Sequence, residues 1–594
     1  MAAPAGSLLL DPREVSNWVS RLPVANVGET SRQVFKTIVE FNRLEIPHLN
    51  RLKIAELFRR PISYISDNLR KYYFDSPFPL SAKSRKIAVL NRELYTELAL
   101  AYKIFIESAL ADGTDKIDRK LLVVAMHRVM SLLNRVVYQS VIVYDPIPEG
   151  AWKEIHHLYS YAEQNGIHDL PVKDGNDGDS VTSITTLYKQ ALLFSICSPY
   201  RMRQREIDAV RQSLAAWSQL ATLGKPTDES LSPFDFVARL SSDSPPLHHV
   251  LETDESAHLC RVINTEPLVK TLREAFDNLP SDNSSSEVSS STPTVSKHLL
   301  RQLIQILSAA PKREFVRTKL NFELKVAVGV TAIHSLLNPV SEQQTISPEQ
   351  RPDNELDWID QAAGNPLSLA HYTLPESKLT LEGFDESIQE TIIASSGCEP
   401  GFSLGGAPVW ASRPMDQKHE TFACKTINES AGGYCINWQG IHAPKIKIGE
   451  VIGVQSATIL NQFAIGISRW MRNLPGVGFQ LGMQMIAPNA SAVLIHHLRG
   501  DDPTNHAQKC LMLPELKASG QPASLLLPTL PFKTGDLVII NETGSERKAR
   551  LTHLIETTGA FSQFHFVYLN TQPLQGDDLL TDDEADFDNI WPML

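Results

Sequence analysis

Between Leu320 and Val330 the chain alternates without a break. Leu320, Phe322, Leu324, Val326, Val328 and Val330 are apolar, and Asn321, Glu323, Lys325, Ala327 and Gly329 between them are polar or small. A two-residue period places every apolar side chain on one side of an extended backbone, which predicts a strand with one buried face. Such a face is stable only against further strands, and these follow: Val451–Val454, Phe463–Trp470 and Val477–Met483, separated by turns carrying Gly and Asn. The first part of the chain has another period. Segments 31–42, 51–58, 83–110, 118–138, 152–165 and 182–195 carry apolar residues at three- and four-residue spacing, which predicts helices. Breakers punctuate them: Pro47, Pro61, Pro77, Pro79, Pro146, Pro148 and the Gly175–Gly178 stretch.

The expected fold class is therefore multidomain α+β. A helix-rich N-terminal domain covers 1–225, a small α/β segment 226–280, a Ser-rich linker 281–295, a β-rich domain 296–500 and a second small C-terminal β domain 501–575. In the small segment, Phe234–Leu240 and His258–Ile263 are expected to form a strand pair, followed by a helix over 268–276. The linker is too polar to bury a core, and a helix at Ser296–Leu307 follows it. From Gly576 the chain ends in an acidic tail, Asp577, Asp578, Asp582, Asp583, Glu584, Asp586 and Asp588, closing on Phe587, Ile590, Trp591 and Met593. That composition is expected either of a peptide that folds on a partner or of a solvated tail without fixed structure.

The 594 residues carry a net charge of −12, which excludes a phosphate-tracking nucleic-acid surface. Six scattered cysteines without a CxxC pair point to reduced thiols in the cytoplasm. The His156–His157, His248–His249 and His496–His497 doublets make poor chelates, so no metal is expected. No transmembrane segment is expected, and the N-terminus lacks a basic region before its three leucines. No Walker A loop, HExxH or post-strand GxGxxG occurs, and the GxSxG at Gly401–Gly405 follows Cys398-Glu-Pro instead of an apolar strand. An enzyme is not expected.

Against this acidic background, Lys312, Arg313, Arg317, Lys319 and Lys325 face only Glu314 and Glu323 within 312–325, a local excess of +3. Arg313 and Arg317 form an RxxxR directly before the alternating strand. An arginine fork donates two parallel hydrogen bonds to the O6/N7 edge of guanine or to phosphate oxygens, and stacks on a base face. Further on, Asn428, Ser430 and Gly433 form an NxSxxG followed by Tyr434-Cys-Ile-Asn-Trp438. Asn428 and Ser430 are two apart, so an extended strand points them to one face. Asn, Ser and Gly are also turn formers. A second RxxxR, Arg201–Arg205, sits in a helical stretch with no strand behind it and is expected to be a solvated helix face.

The RxxxR before a strand and the NxSxxG after it, with Ile467-Ser-Arg-Trp470 and Gly476-Val-Gly-Phe479 downstream, resemble the signature of the PilZ domain. The resemblance implies a PilZ-like antiparallel β-barrel that binds cyclic di-GMP, a bacterial second messenger. Lys312, Arg313, Arg317, Asn428, Ser430 and Gly433 would be its ligand-binding residues, and no cofactor beyond that ligand is implied. The family more often has Asp where Asn428 stands. It also separates the two motifs by only a few tens of residues, whereas 338–420 here are expected to be an insertion, a surface-loop lengthening that costs little closure entropy. A basic residue at Lys312, directly before the motif, implies by the same resemblance two stacked ligands. Trp470 is expected to be a core aromatic. Multidomain relatives act in motility through type IV pili or flagella and in biofilm control. The implied function is a cytoplasmic receptor that relays the ligand to protein partners through the helical domain or the acidic tail, with the Ser296–Leu307 helix sensing the arginines. The alternative is a PilZ-like interaction scaffold that binds no ligand.

Overall fold

The computed structural model of the chain describes residues 11–111, 118–174, 181–226, 232–248, 257–279, 295–308, 316–338, 420–438, 443–456, 462–498, 507–517, 520–529, 532–542 and 545–569. They form two compact units. One holds the helical domain and a first barrel, and the other holds a second barrel with one helix.

The helical domain consists of α1 (Pro12–Ser20), α2 (Val27–Asn42), α3 (His48–Arg70), α4 (Ala82–Ala111), α5 (Arg119–Val141), α6 (Ala151–Gln164), α7 (Ile184–Ile196) and α8 (Gln204–Leu220), with a minor hairpin β1 (Val172–Lys173) and β2 (Val181–Thr182). Starts follow local chemistry: the Asn26 side-chain Oδ1 caps α2 by accepting from the Glu29 backbone amide, and the Ser183 hydroxyl caps α7 by accepting from the Thr186 amide. Pro61 does not break the chain as its type suggests; it lies inside α3, which runs on to Arg70. Proline removes one helix hydrogen bond, but Phe58, Ile62, Ile65 and Leu69 on either side are fully buried and hold the helix to its core face. The helix α5 is long and apolar enough to match a membrane span, yet 72% of that window is buried within the fold. It packs against α4 and α7, and its Arg128 pairs with Glu56 of α3 at 3.1 Å.

A four-stranded sheet follows, in the order β3 (Thr222–Gly224), β6 (Cys260–Asn264), β4 (Asp235–Arg239), β5 (Leu247–His248). The expected strand pair is its centre, β4 against β6. Arg261 of β6 ties the sheet to α6 by gripping both carboxylate oxygens of Glu163, with the Nε contacts at 2.8 and 3.1 Å. Helices α9 (Glu266–Asp277) and α10 (Lys297–Ser308) then pack on each other. The apolar side of α10, Leu299, Leu300, Leu303 and Leu307, is buried, and its last turn is held where the Thr265 hydroxyl donates to the Leu307 carbonyl at 2.9 Å. The Ser-rich stretch between α9 and α10 lies outside the described residues.

The first barrel is β8 (Glu323–Val328), β9 (Phe422–Ser430), β10 (Gly433–Trp438), β11 (Val451–Ser456), β12 (Ala464–Leu474) and β13 (Gly478–Ala487), with the short β7 (Thr318–Lys319) beside β9. The hydrogen-bonded order is β10-β13-β12-β11-β8-β9 with β9 paired back to β10, which closes the barrel. Leu324, Val326, Ile436, Trp438, Leu481 and Met483 fill the inside. The expected strand through Val330 is shorter: it ends at Val328. Gly329, at φ 90°, turns the chain, and α11 (Val330–Leu337) begins. The insertion expected at 338–420 falls almost wholly outside the described residues.

The helical domain docks on this barrel through backbone. Phe78 and Ile446 exchange amide–carbonyl hydrogen bonds at 2.9 and 2.8 Å, and the Asn473 amide donates to the Tyr144 carbonyl at 2.8 Å. The Arg203 Nε donates to the Ile448 carbonyl at 2.7 Å, while Asp75 sits between Arg205 and Lys447. The second RxxxR is thus not one helix face. Arg201 ends a short 3-10 turn before α8, and Arg205 belongs to this docking contact.

The second barrel is closed in the order β14 (Ser491–His497), β15 (Gln508–Leu513), β16 (Ser524–Leu527), β19 (Ser562–Tyr568), β18 (Ser545–Thr557), β17 (Leu537–Glu542). Its core is Val493, Ile495, Cys510, Leu525, Leu527, Val538, Ile540, Leu551 and Phe564. The segment 491–497, placed before 500 in the first β domain by sequence, is a strand of the second, because its alternate residues Val493 and Ile495 join that core. Helix α11 packs on β14 and β15, with the Lys509 ammonium donating to the Ser335 hydroxyl at 2.8 Å.

Glu163 is the structural group with the clearest pH signature. Arg261 holds its carboxyl below the ordinary carboxylate range, so its contribution is complete above about pH 4.5 and is lost as pH falls through the lowered native value. Glu163→Gln should destabilise the protein by about 2 kcal/mol near neutral pH. The gap from wild type should narrow at about pH 3, as thermal unfolding at the two pH values will show.

Candidate functional site

The hairpin β9–β10 turns through Ala431 and Gly432, with Ser430 paired to Gly433. The NxSxxG is therefore a hairpin turn and a candidate site at once. Gly433 is there for the neighbouring strand: a Cβ at this position would lie 2.0 Å from the Met483 carbonyl oxygen of β13. The resemblance implies Gly433 as a ligand-binding residue; the close approach seen at it is that of β13.

Cross-strand partners share a face of a sheet, so the pairings define what stands outside the barrel. Lys319 of β7 opposes Asn428, Asn428 opposes Cys435, and Cys435 opposes Gly482. The next row runs from Ser430 through Gly433 to Gln484, and Arg317, one residue before β7, comes level with Ser430. A third row joins Lys425, Asn437 and Gln480. The inward rows between them hold Thr426, Ile436 and Leu481, and Tyr434 with Met483. Asn428 and Ser430 do share a face, as their spacing predicts, and Arg317 stands beside them. Lys312 and Arg313 lie outside the described residues.

Charge on this face is mostly positive, the exposed Glu323 of β8 standing opposite Lys425 at its edge. Arg317, Lys319 and Lys425 are exposed and form no ion pair with a described residue, and Arg469 is present through its hydrogen bond to Gln484 at 2.9 Å. Glu429, the only carboxylate in this part of β9, is on the opposite face with Thr318 and Tyr434. Burial pushes the Cys435 thiol up to about 11, and the positive charge of Arg317 within Coulombic reach works against that rise. The Ser430 hydroxyl makes only a long 3.4 Å contact to the Gly433 carbonyl within the hairpin.

At one end of the face β9 carries a bulge. Asn428 pairs with Cys435 and Thr426 with Ile436, leaving Ile427 as the extra residue. There the chain between β7 and β8 kinks, and a cleft of about 370 Å³ opens, lined by Lys319, Leu320, Asn321, Lys425, Thr426, Ile427 and Asn437. At the other end stands Trp470. It is half-buried and lies outside the barrel core, with its indole over Gly482, where an added Cβ would fall 1.9 Å from its Nε1. This corrects the expectation of a core aromatic: the missing side chain at Gly482 makes a flat seat, and the ring takes it from outside.

Lys425 had no motif to flag it, and Arg469 and Trp470 were noted only within the Ile467–Trp470 strand, not as part of the site. Lys425 reaches the face only because the bulge at Ile427 shifts side-chain parity, a feature of pairing that a single strand does not display.

A closed antiparallel barrel with Arg317 of the first motif level with Asn428 and Ser430 of the second on its outer surface agrees with a PilZ-like barrel. Three family models match the chain in succession: residues 13–228 the "Cyclic-di-GMP receptor FimW, N-terminal domain", 236–492 the "Cyclic-di-GMP receptor FimW, middle PilZ domain" and 493–569 the "FimW C-terminal beta-barrel domain". The chain belongs to the PilZ-domain proteins of this three-domain kind. It is 29% identical over 604 aligned residues to the cyclic-di-GMP receptor FimW of Pseudomonas aeruginosa, covering 98% of this chain and 96% of that relative. No solved structure matches.

Gly433→Ala should destabilise the first barrel by at least about 2 kcal/mol, because its Cβ meets backbone instead of a side chain that can yield. Thermal unfolding of the variant, with Gly432→Ala as the control, checks this.

Proposed function

We propose that this protein is a receptor that binds cyclic di-GMP on the outer face built from Arg317, Lys319, Asn428, Ser430 and Trp470, with Lys312 and Arg313 closing over the ligand. The observation that carries the reading is the register. β7 pairs with β9 so that the first motif lies alongside the second on one cationic face of a chain whose net charge is −12. A cyclic dinucleotide presents two phosphates and two guanines. Arginine and lysine suit the phosphates, Asn428 and Ser430 offer donor and acceptor groups to a base edge, and the exposed side of Trp470 offers a stacking surface. The name of the relative, a cyclic-di-GMP receptor, supports the same ligand.

The output follows from position. Arg317 lies nine residues after the end of α10 at Ser308, whose apolar side is already packed on α9. A ligand gripping Arg317 would tether the intervening chain to the barrel and load α10 from its C-terminal end. The helical domain and the acidic tail are the surfaces proposed to carry the signal to protein partners, in motility through type IV pili or flagella and in biofilm control.

Calorimetry with cyclic di-GMP tests the ligand. Binding is expected well below about 100 μM, a level equivalent to roughly −5.5 kcal/mol, with GTP and GMP much weaker. Absence of heat and of competition at that level would leave the ligand-free scaffold as the better account. Arg317→Ala should weaken binding about tenfold or more, since a charge-assisted bidentate contact is worth roughly 1–3 kcal/mol. Arg205→Ala, in the docking contact, should leave affinity unchanged, and a stoichiometry of two that falls to one in Lys312→Leu would assign the second ligand to Lys312. Hydrogen exchange should show ligand-induced protection concentrated in 309–319, between α10 and β8.

A further inference from the structure

The second barrel has an outer face that its own chemistry leaves incomplete. On β18, Ala549 and Leu551 point into the core, so Lys548 and Arg550 point outward. Lys548 stands opposite Ile539 of β17, and Arg550 stands between Leu537 of β17 and Val567 of β19. Val567 is 57% exposed, a large value for a valine in a paired strand. The nearby charges are engaged elsewhere: Arg547 pairs with Glu542 at 2.6 Å, and Glu546 accepts from Asn541 at 3.5 Å. Lys548 and Arg550 have no ion-pair partner among the described residues. The face is a small apolar strip, Leu537, Ile539 and Val567, with two uncompensated cations on it.

The chain leaves the barrel at this place. The Leu569 amide donates to the Lys548 carbonyl at 2.9 Å, and residues 570–594 follow. They carry seven carboxylates, Asp577 through Asp588, no basic residue, and the apolar tip Phe587, Ile590, Trp591, Met593 and Leu594. We propose that this acidic tail, residues 577–594, folds back onto the face of β17, β18 and β19, setting its carboxylates against Lys548 and Arg550 and its aromatic tip on the apolar strip.

Three physical points favour the tail over a foreign partner as the occupant. Its charge complements Lys548 and Arg550, which form no ion pair with a described residue, whereas the acidic remainder of the chain repels it. Asp577 lies eight steps along the chain from Leu569, a span of at most about 27 Å when extended, and neighbouring strands are only about 4.8 Å apart. The tether also places the tail at an effective concentration of about a millimolar, so even a weak contact stays mostly closed.

Hydrogen exchange on the full-length chain tests this. Amides of 577–594 should exchange about tenfold more slowly in the wild type than in the double variant Lys548→Glu, Arg550→Glu. The tail variant Asp582→Lys, Asp583→Lys should lose the same protection, and the combination of both charge reversals should restore it. Unchanged protection of the core strand Ser524–Leu527 shows that each variant remains folded. Tail amides that exchange equally fast in all forms would overturn the proposal. So would protection that survives the Lys548 and Arg550 reversal, or that rises with protein concentration as expected for a second copy.

Discussion

The strand β9 is the constraint on which the ligand face depends. It is paired on one edge by β10 and on the other by β8 and β7 in succession. The other two pairings would still make a sheet if β7 were missing, but only β7 brings the chain just after Arg317 beside the second motif. Because side chains alternate with a period of two, a slip of one residue between β7 and β9 would send Lys319 to the face of Glu429 and Tyr434. The interior rows of Ile436, Leu481 and Met483 fix the register of β9, β10 and β13 through burial, and the polar outer rows inherit their alignment from it.

The outer face is shaped by absence as much as by presence. Gly433 and Gly482 contribute no side chains, so the sheet is shallow between Ser430 and Gln484, and Trp470 rests on the bare backbone of β13. Glu429 is kept off this face by the same alternation that delivers Lys319, since it is one residue from both Asn428 and Ser430. The second RxxxR shows the opposite use of the same residue types. Arg203 spends its Nε hydrogen bond on the Ile448 carbonyl of the barrel, and Arg205 pairs within the helical domain with Asp75, which also meets Lys447 of the barrel.

The order of the domains was legible because period and composition change sharply along the chain. The strand pattern at Leu324 and Val326 and the helices of 12–222 follow from burial periodicity, which is a local signal. The misses were nonlocal. Pro61 lies inside a helix because tertiary packing outweighs one missing hydrogen bond. Val330 continues the alternation on paper, but Gly329 turns the chain and the residue joins a helix. Ser491–His497 alternates like any strand, and nothing in its own letters says which barrel it completes. At the candidate site, Asn428, Ser430 and Gly433 were found by their motif, whereas Lys425 and Trp470 depend on the Ile427 bulge and on the empty position at Gly482.

The turn at Gly329 has a consequence for how this chain can be divided. It ends a strand of the first barrel and starts a helix of the second, which is then completed by residues more than 150 positions later in sequence. The two barrels are therefore interleaved in the order of synthesis. A ribosome delivers α11 long before the strands β14 and β15 that cover it exist, so the apolar side of that helix must wait uncovered. A gene fragment beginning at the second barrel would likewise encode a cylinder without its helix. The unit of inheritance here is the pair of barrels, and exchange of one without the other would leave Ile333 with nothing to bury against.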